Sequence, residues 1–111
     1  MNVLKAFINK TSYTGSSTSE DPTFSAEISV DYTNAGGTVI GWFAGHDHTD
    51  REVNVSSYGF HCFVTTNDGA GSGKTPGTTT EQSFDVVTVN QATKTVNMTR
   101  IGLGSDRSFN Y

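Results

Sequence analysis

Two segments with alternating apolar and polar side chains, joined by a short polar turn, restrict the fold of this chain most. They are SFDVVTVN (83–90) and TKTVNMTRI (93–101), and they flank the turn Gln91-Ala92-Thr93. A period of two residues, rich in valine and threonine, is typical of β-strands, and so short a connection predicts a β-hairpin. Because an isolated hairpin is only marginally stable in water, we expect further strands around it.

Three other segments predict these strands. FSAEISVDYT (24–33) alternates and predicts a half-exposed strand, and FHCFVTT (60–66) predicts a second. TVIGWFA (38–44) is apolar on both faces, which predicts a central strand buried on both sides. Threonine and serine make up 29 of the 111 residues, a composition that also favours β-structure.

One short helix is predicted at the start of the chain. Val3, Leu4, Phe7 and Ile8 form one apolar stripe over residues 2–9. Asn2 is the only candidate for its N-cap, and Lys10 suits its C-terminal end. We therefore expect one short helix and about five strands, an α+β class that is mostly β.

Two segments predict loops. Residues 11–23, rich in serine and threonine, predict a connection after the helix, and residues 67–83 predict a long flexible loop. Within the second, GAGSGKT (69–75) has the composition of a phosphate-binding P-loop. That motif needs four residues between its glycines and a helix after them, whereas here three residues intervene and Pro76 follows. We interpret the segment as a solvated loop and not as a nucleotide site.

The bulk composition excludes several classes of protein. A length of 111 residues with a net charge of −4 fits one domain. Seven scattered basic residues argue against nucleic acid as the main partner. Cys62 is the only cysteine, so no internal disulfide can form. Without an apolar run of about 18 residues, we expect no membrane association and a cytoplasmic location.

His61 and Cys62 are adjacent in a predicted strand, between Phe60 and Phe63. Neighbouring residues of a strand point to opposite faces, so these two cannot share a metal ion. We expect His61 to be packed or half-buried and Cys62 to be a small buried side chain.

His46 and His48 follow the apolar segment 38–44 directly. In an extended segment, residues two apart project to one side, with Cα atoms roughly 6.5–7 Å apart. Two imidazoles in that arrangement can bind one metal ion or one ion each of a pair, and Gly45 allows the backbone to turn before them. An exposed polar strand end explains the same residues equally well, and the spacing alone leaves both interpretations open.

A family resemblance favours the metal site. VIGWFAGHDHTDRE (39–52) resembles the last signature block of the calcineurin-like metallophosphoesterases, in which Gly-His-x-His follows an apolar strand. AFINKTS (6–12) looks like the helix end before that block. FDVVTVNQATKTVNMTRIGLGSDRSFNY (84–111) is similar to the closing hairpin and tail of a bacterial and prophage-type branch. The resemblance thus covers most of the chain.

The resemblance implies an αββα sandwich with a pair of divalent metals (Mn, Fe or Zn) that hydrolyses a phosphoester. It implies that His46 binds one metal and His48 the other, while Arg107 and Tyr111 are candidates for substrate contact. The family's upstream Asp-x-His and Asn-His blocks do not occur in this sequence. We therefore expect residues 1–111 to be one partial domain, the C-terminal segment of a longer phosphoesterase.

Alone, such a segment is expected to be inactive and to bind metal weakly or not at all. Its uncovered strand edges predict a homo-oligomer. The alternative interpretation is a non-enzymatic β-rich structural or interaction module of phage origin, in which the two histidines are incidental.

Overall fold

The computed structural model describes residues 1–18, 24–55, 59–66 and 73–111. Over these ranges the chain contains one helix and eight strands, which confirms the α+β, mostly β class. It divides into two compact units, Met1–Val39 (the N-terminal unit) and Ile40–Tyr111 (the C-terminal unit). The single partial domain over 1–111 stays a prediction.

The helix of the N-terminal unit lies where the apolar stripe predicts it. Helix α1 (Asn2–Asn9) is followed by Lys10, whose left-handed backbone (φ 54°) turns the chain so that the amide of Thr11 donates to the carbonyl of Ala6 at 2.9 Å. The ammonium group of Lys10 lies 4.0 Å from the centre of the Phe7 ring. The predicted cap is wrong: Met1 is the N-cap residue and provides no side-chain hydrogen bond.

Strands β1 (Ser12–Thr18) and β2 (Ser25–Asp31) form an antiparallel pair in the N-terminal unit. The half-exposed alternation predicted for β2 is confirmed, with its residues alternately half-buried and exposed. The loop predicted over 11–23 is wrong for residues 12–18. Serine and threonine of β1 pair with β2 without supplying an apolar face, so this strand lacks the alternation that identifies strands in a sequence.

The C-terminal unit consists of two three-stranded sheets. The first has the order β3-β5-β4, with β3 parallel to β5, and the second is antiparallel with the order β6-β7-β8. The strands are β3 (Trp42–Ala44), β4 (Arg51–Val55), β5 (Phe60–Val64), β6 (Ser83–Asn90), β7 (Thr95–Gly102) and β8 (Arg107–Asn110). The predicted hairpin is confirmed by β6 and β7.

The two sheets pack together through a small apolar core. Its fully buried members are Phe63 from β5 and Val96 and Met98 from β7, joined by Phe109 from β8. The rings of Phe63 and Phe109 stack with their centres 4.6 Å apart. The faces that carry these four side chains are the inner faces of the two sheets, and the opposite faces are the outer ones.

The prediction of a central strand buried on both faces over 38–44 is wrong. Only Trp42–Ala44 form a strand, which lies at the edge of its sheet. Trp42 remains 49% exposed and Phe43 40% exposed. An apolar run does not distinguish a covered central strand from an edge strand with uncovered apolar side chains, because both have the same composition.

Strands β4 and β8 are two further strands that the sequence pattern did not identify. β4 begins with two charged residues, and β8 has only four residues, so neither has a clear alternation. Of the long loop predicted over 67–83, residues 67–72 lie outside the described ranges and residue 83 begins β6.

No helix within the described ranges has the length and apolar character needed to cross a membrane. The cytoplasmic location stays a prediction.

Candidate metal-binding loop

His46 and His48 lie in the segment 45–50 (the histidine loop), which connects β3 to β4. Both are exposed, and both have left-handed backbone angles, with φ 88° at His46 and φ 54° at His48. The segment is bent and not extended, so the strand geometry used to align the two imidazoles does not apply. Their role as metal ligands stays a prediction.

Hydrogen bonds from the end of β5 hold the histidine loop at its base. The amide of Thr65 donates to the carbonyl of Ala44 at 3.0 Å, just before the loop. The hydroxyl of Thr66 donates to the carbonyl of His48 at 2.8 Å, and its amide donates to Oδ1 of Asp50 at 3.1 Å. The loop backbone is therefore fixed on both sides of His48, while the imidazoles stay exposed.

Asp50, the last residue of the histidine loop, binds Arg100, a buried arginine of the second sheet. Both terminal nitrogens of Arg100 donate to its carboxylate, Nη2 to Oδ1 at 2.7 Å and Nη1 to Oδ2 at 2.9 Å. These hydrogen bonds from Arg100 hold the pKa of Asp50 below its usual range. The Arg100 side chain is 2% exposed, so a buried cation anchors an exposed loop.

Asp85 on β6 completes the network beneath the loop. It accepts from Nε of Arg100 at 2.8 Å, from Nη2 of Arg107 at 2.6 Å and from the hydroxyl of Thr65 at 2.7 Å. Burial alone would raise the pKa of Asp85, but these hydrogen bonds outweigh it and leave the pKa below its ordinary value. We call Asp50, Asp85, Arg100 and Arg107 the charge network.

Sequence reasoning missed three members of this network, although the alternation of the hairpin contains the signal. Arg100 follows Val96 and Met98 on the buried face of β7, and Asp85 is its partner across the strands. A buried charge needs a partner of opposite charge, so these two positions predict an ion pair in the core. Arg107, a candidate for substrate contact, donates to Asp85, and its contact with substrate stays a prediction.

Two expectations about neighbouring residues can be compared with the structure. His61 is half-buried, with Nδ1 3.2 Å from Oε1 of Glu52 and its ring 5.0 Å from that of Phe109, which confirms a packed histidine.

Cys62 is only half-buried, so the expectation of a buried thiol is wrong. Cys62 pairs with exposed Trp42 and Val53 on the outer face, where little covers it. The P-loop-like segment 69–75 lies largely outside the described residues.

The two imidazoles of the histidine loop are a suitable type of ligand for a divalent metal, but two ligands are too few for a complete site. Imidazole nitrogens suit Zn, Fe and related metals, whereas a structural or catalytic site needs three or four protein ligands. Over the described parts of the chain, no three side chains of His, Cys, Asp or Glu are grouped so as to hold a metal ion. Two imidazoles are fewer ligands than such a site needs.

Comparisons with protein families, with curated proteins and with solved structures found no match to this chain.

Proposed function

We propose that this chain is the C-terminal segment of a calcineurin-like metallophosphoesterase of the bacterial and prophage type. It contributes His46 and His48 as metal ligands, and the remaining ligands belong to a portion outside this chain. The observation that carries the proposal is the left-handed backbone at both histidines, which at His48 is held by a hydrogen bond from Thr66. Alone, the chain is inactive as a phosphoesterase.

Left-handed backbone at a residue other than glycine is a source of strain. It costs on the order of 1–3 kcal/mol per residue and persists where the surroundings over-determine the conformation. At His48, Thr66 and Asp50 provide that constraint, through a bond of 2.8 Å from Thr66 to the carbonyl of His48 and one of 2.7 Å between Asp50 and Arg100. A solvated strand end with incidental histidines needs no such support, so the geometry favours a loop with a function.

The arrangement of the sheets also supports a partial αββα sandwich. Two sheets packed face to face form the inner layers of that architecture, and helices cover their outer faces. On the outer face of the first sheet, Trp42 and Val53 are 49% and 47% exposed. On that of the second, Phe84 and Ile101 are paired across the strands and are 40% and 42% exposed. Apolar side chains on both outer faces are suited to such covering helices.

In the intact domain, His46 and His48 would be the residues of this chain that hold the metal pair. Such a pair would supply Lewis-acid chemistry, lowering the pKa of a water and stabilising negative charge on the phosphoryl oxygens. Its positive charge would also offset the net charge of −4 of this chain, which would otherwise repel an anionic phosphoester. The histidine loop stays in place because Asp50 is bound to Arg100.

Weak metal binding by the isolated chain is the first test. We expect Zn²⁺ added to the folded protein to shift the imidazole NMR signals of His46 and His48. The double variant His46→Asn/His48→Asn should abolish this binding. Asparagine is a suitable replacement because it tolerates left-handed backbone and so keeps the loop conformation.

His61→Asn is the matched control, since it removes the third histidine, which lies on β5 and contacts Glu52. It should leave Zn²⁺ binding unchanged. Equal binding by the double variant and the original chain would remove the support for a metal-ligand loop. An open reading frame upstream of Met1 that encodes Asp-x-His and Asn-His-Glu would support the class of enzyme independently.

Exposed apolar strands favour the second candidate function, an interaction module that assembles with copies of itself. In the described sheet, β6 lies at an edge, and its only charged residue, Asp85, is turned into the core. Uncharged apolar edge strands recruit strands of other chains. We infer that two chains associate through β6.

Light scattering coupled to size-exclusion chromatography tests this association at micromolar concentration. The original chain should elute as a dimer or larger species, and Val86→Lys, which places a charge on β6, should shift it to the monomer. Ser108→Lys makes the same charge change at an exposed position on β8 and should have no such effect. A monomeric original chain would contradict the association.

A further inference from the structure

We propose that Arg100 is a positioning residue for the histidine loop, acting through Asp50 and assisted by Thr66. It touches neither imidazole; it fixes the backbone that carries them. The inference rests on the proposed function for the purpose of the loop, while the mechanical role of Arg100 follows from contacts that need no metal.

Arg100 is held rigidly by contacts other than the one it makes with the loop. Its amide donates to Oδ1 of Asp106 at 2.8 Å, and its Nε donates to Oδ1 of Asp85 at 2.8 Å. Its Nη1 lies 2.9 Å from Oγ of Ser83 and 2.6 Å from the carbonyl oxygen of Leu103. Both the backbone and the guanidinium plane are thus fixed, and no freedom remains for the side chain to follow a moving loop.

The contact with Asp50 transfers this rigidity to the loop. The two terminal nitrogens bind the two carboxylate oxygens in parallel, at 2.7 Å and 2.9 Å. Such a bidentate pair fixes orientation as well as distance. Thr66 then connects Asp50 to His48 within the loop, because its amide donates to the carboxylate of Asp50 and its hydroxyl donates to the carbonyl of His48. The backbone of His48 is thereby linked to Arg100 through Thr66 and Asp50.

Gly104 makes room for this contact. A Cβ at position 104 would lie in contact with Nη1 of Arg100 and 3.1 Å from Oδ2 of Asp50, and the backbone there has φ 122°. Only glycine both adopts that angle readily and lets the chain pass so close to the ion pair. The turn after β7 is thus shaped around the Arg100–Asp50 pair, which argues against a chance surface contact.

The experiment compares Arg100→Lys and Thr66→Val with the original chain. Lysine keeps the positive charge but cannot form the bidentate contact, and valine removes only the hydroxyl that binds His48. We expect the {¹H}–¹⁵N nuclear Overhauser effects of the amides of residues 46–49 to fall in both variants. We also expect Zn²⁺ affinity to fall about 10-fold, as for other groups that orient metal ligands.

A matched control makes the same chemical change elsewhere. Thr95→Val removes a hydroxyl that bonds to Thr93 and Asn110, at the far end of β7 from Arg100. It should leave the loop amides and Zn²⁺ affinity unchanged. If Arg100→Lys does not fold, Thr66→Val decides the question by itself.

The outcomes separate the two proposals. Unchanged loop order in Thr66→Val and in any folded Arg100→Lys protein would overturn the positioning role. A general loss of stability with an unaltered loop in the folded fraction would overturn it as well, because it would make Arg100 only a structural residue. An original chain that binds no Zn²⁺ through His46 and His48 would instead contradict the proposed function, and the nuclear Overhauser effects would still decide the role of Arg100.

Discussion

Asp85→Ala is expected to lower the free energy of unfolding by about 3–5 kcal/mol, the usual range when one partner of a buried ion pair is removed. The Asp85 side chain is 4% exposed and binds Arg100 at 2.8 Å and Arg107 at 2.6 Å. Alanine would leave both guanidinium groups without this carboxylate. Arg100 would keep Asp50, but Arg107 lies 3.8 Å from it. Urea denaturation followed by circular dichroism measures the change.

Asp47→Ala is the control for this prediction. Asp47 pairs with Arg51 at 3.2 Å, but both side chains are well exposed, so the change should stay within about 0.5 kcal/mol. Because small domains are stable by only about 5–15 kcal/mol, Asp85→Ala removes a large share of the total. Similar unfolding midpoints for the two variants would contradict the importance of the charge network.

Phe63→Ala is expected to have a comparable effect through packing, about 3–5 kcal/mol. Phe63 is 1% exposed and lies between the two sheets, where its ring stacks on Phe109 at 4.6 Å and on Phe43 at 5.8 Å. The core has few other large members, so the cavity left by alanine cannot be filled by rearrangement alone. Thermal unfolding monitored by circular dichroism should show a clear fall in the midpoint.

Phe84→Ala removes an identical side chain from the outer face of β6, where it is 40% exposed. Its effect should be clearly smaller than that of Phe63→Ala, since 40% of its surface stays in contact with water and alanine leaves no enclosed cavity there. A loss as large as that of Phe63→Ala would mean that another element covers the outer face. Two phenylalanines of one unit thus distinguish the inner from the outer face of the sandwich.

The elements with a clear periodicity could be predicted from the sequence. Helix α1 follows from a stripe with helical spacing, and the β6–β7 hairpin follows from two alternating segments with a short turn. The turn itself is supported by Asn90, whose side-chain oxygen accepts from the amides of Ala92 and Thr93 at 3.0 and 3.1 Å. Local patterns determine these elements, so no knowledge of distant partners is needed.

The elements that depend on distant partners could not be predicted in this way. Strand β1 is polar and exists because β2 pairs with it, and β3 is short because only β5 pairs with it among the described residues. The candidate site is divided likewise. The Gly-His-x-His motif is visible in the sequence. The backbone at His48, in contrast, is held by Thr66, which lies outside the loop and also binds Asp50 at the loop's end.

Fifty residues of chain separate Asp50 from Arg100, the two ends of the contact that anchors the histidine loop. Contacts between distant positions are slow to form, because the intervening chain must first be brought together. Arg100 belongs to β7, so the loop cannot acquire its native shape before the hairpin has assembled. During synthesis the two histidines are therefore made before the strand that anchors their loop, and their geometry is completed only after about fifty further residues have been added.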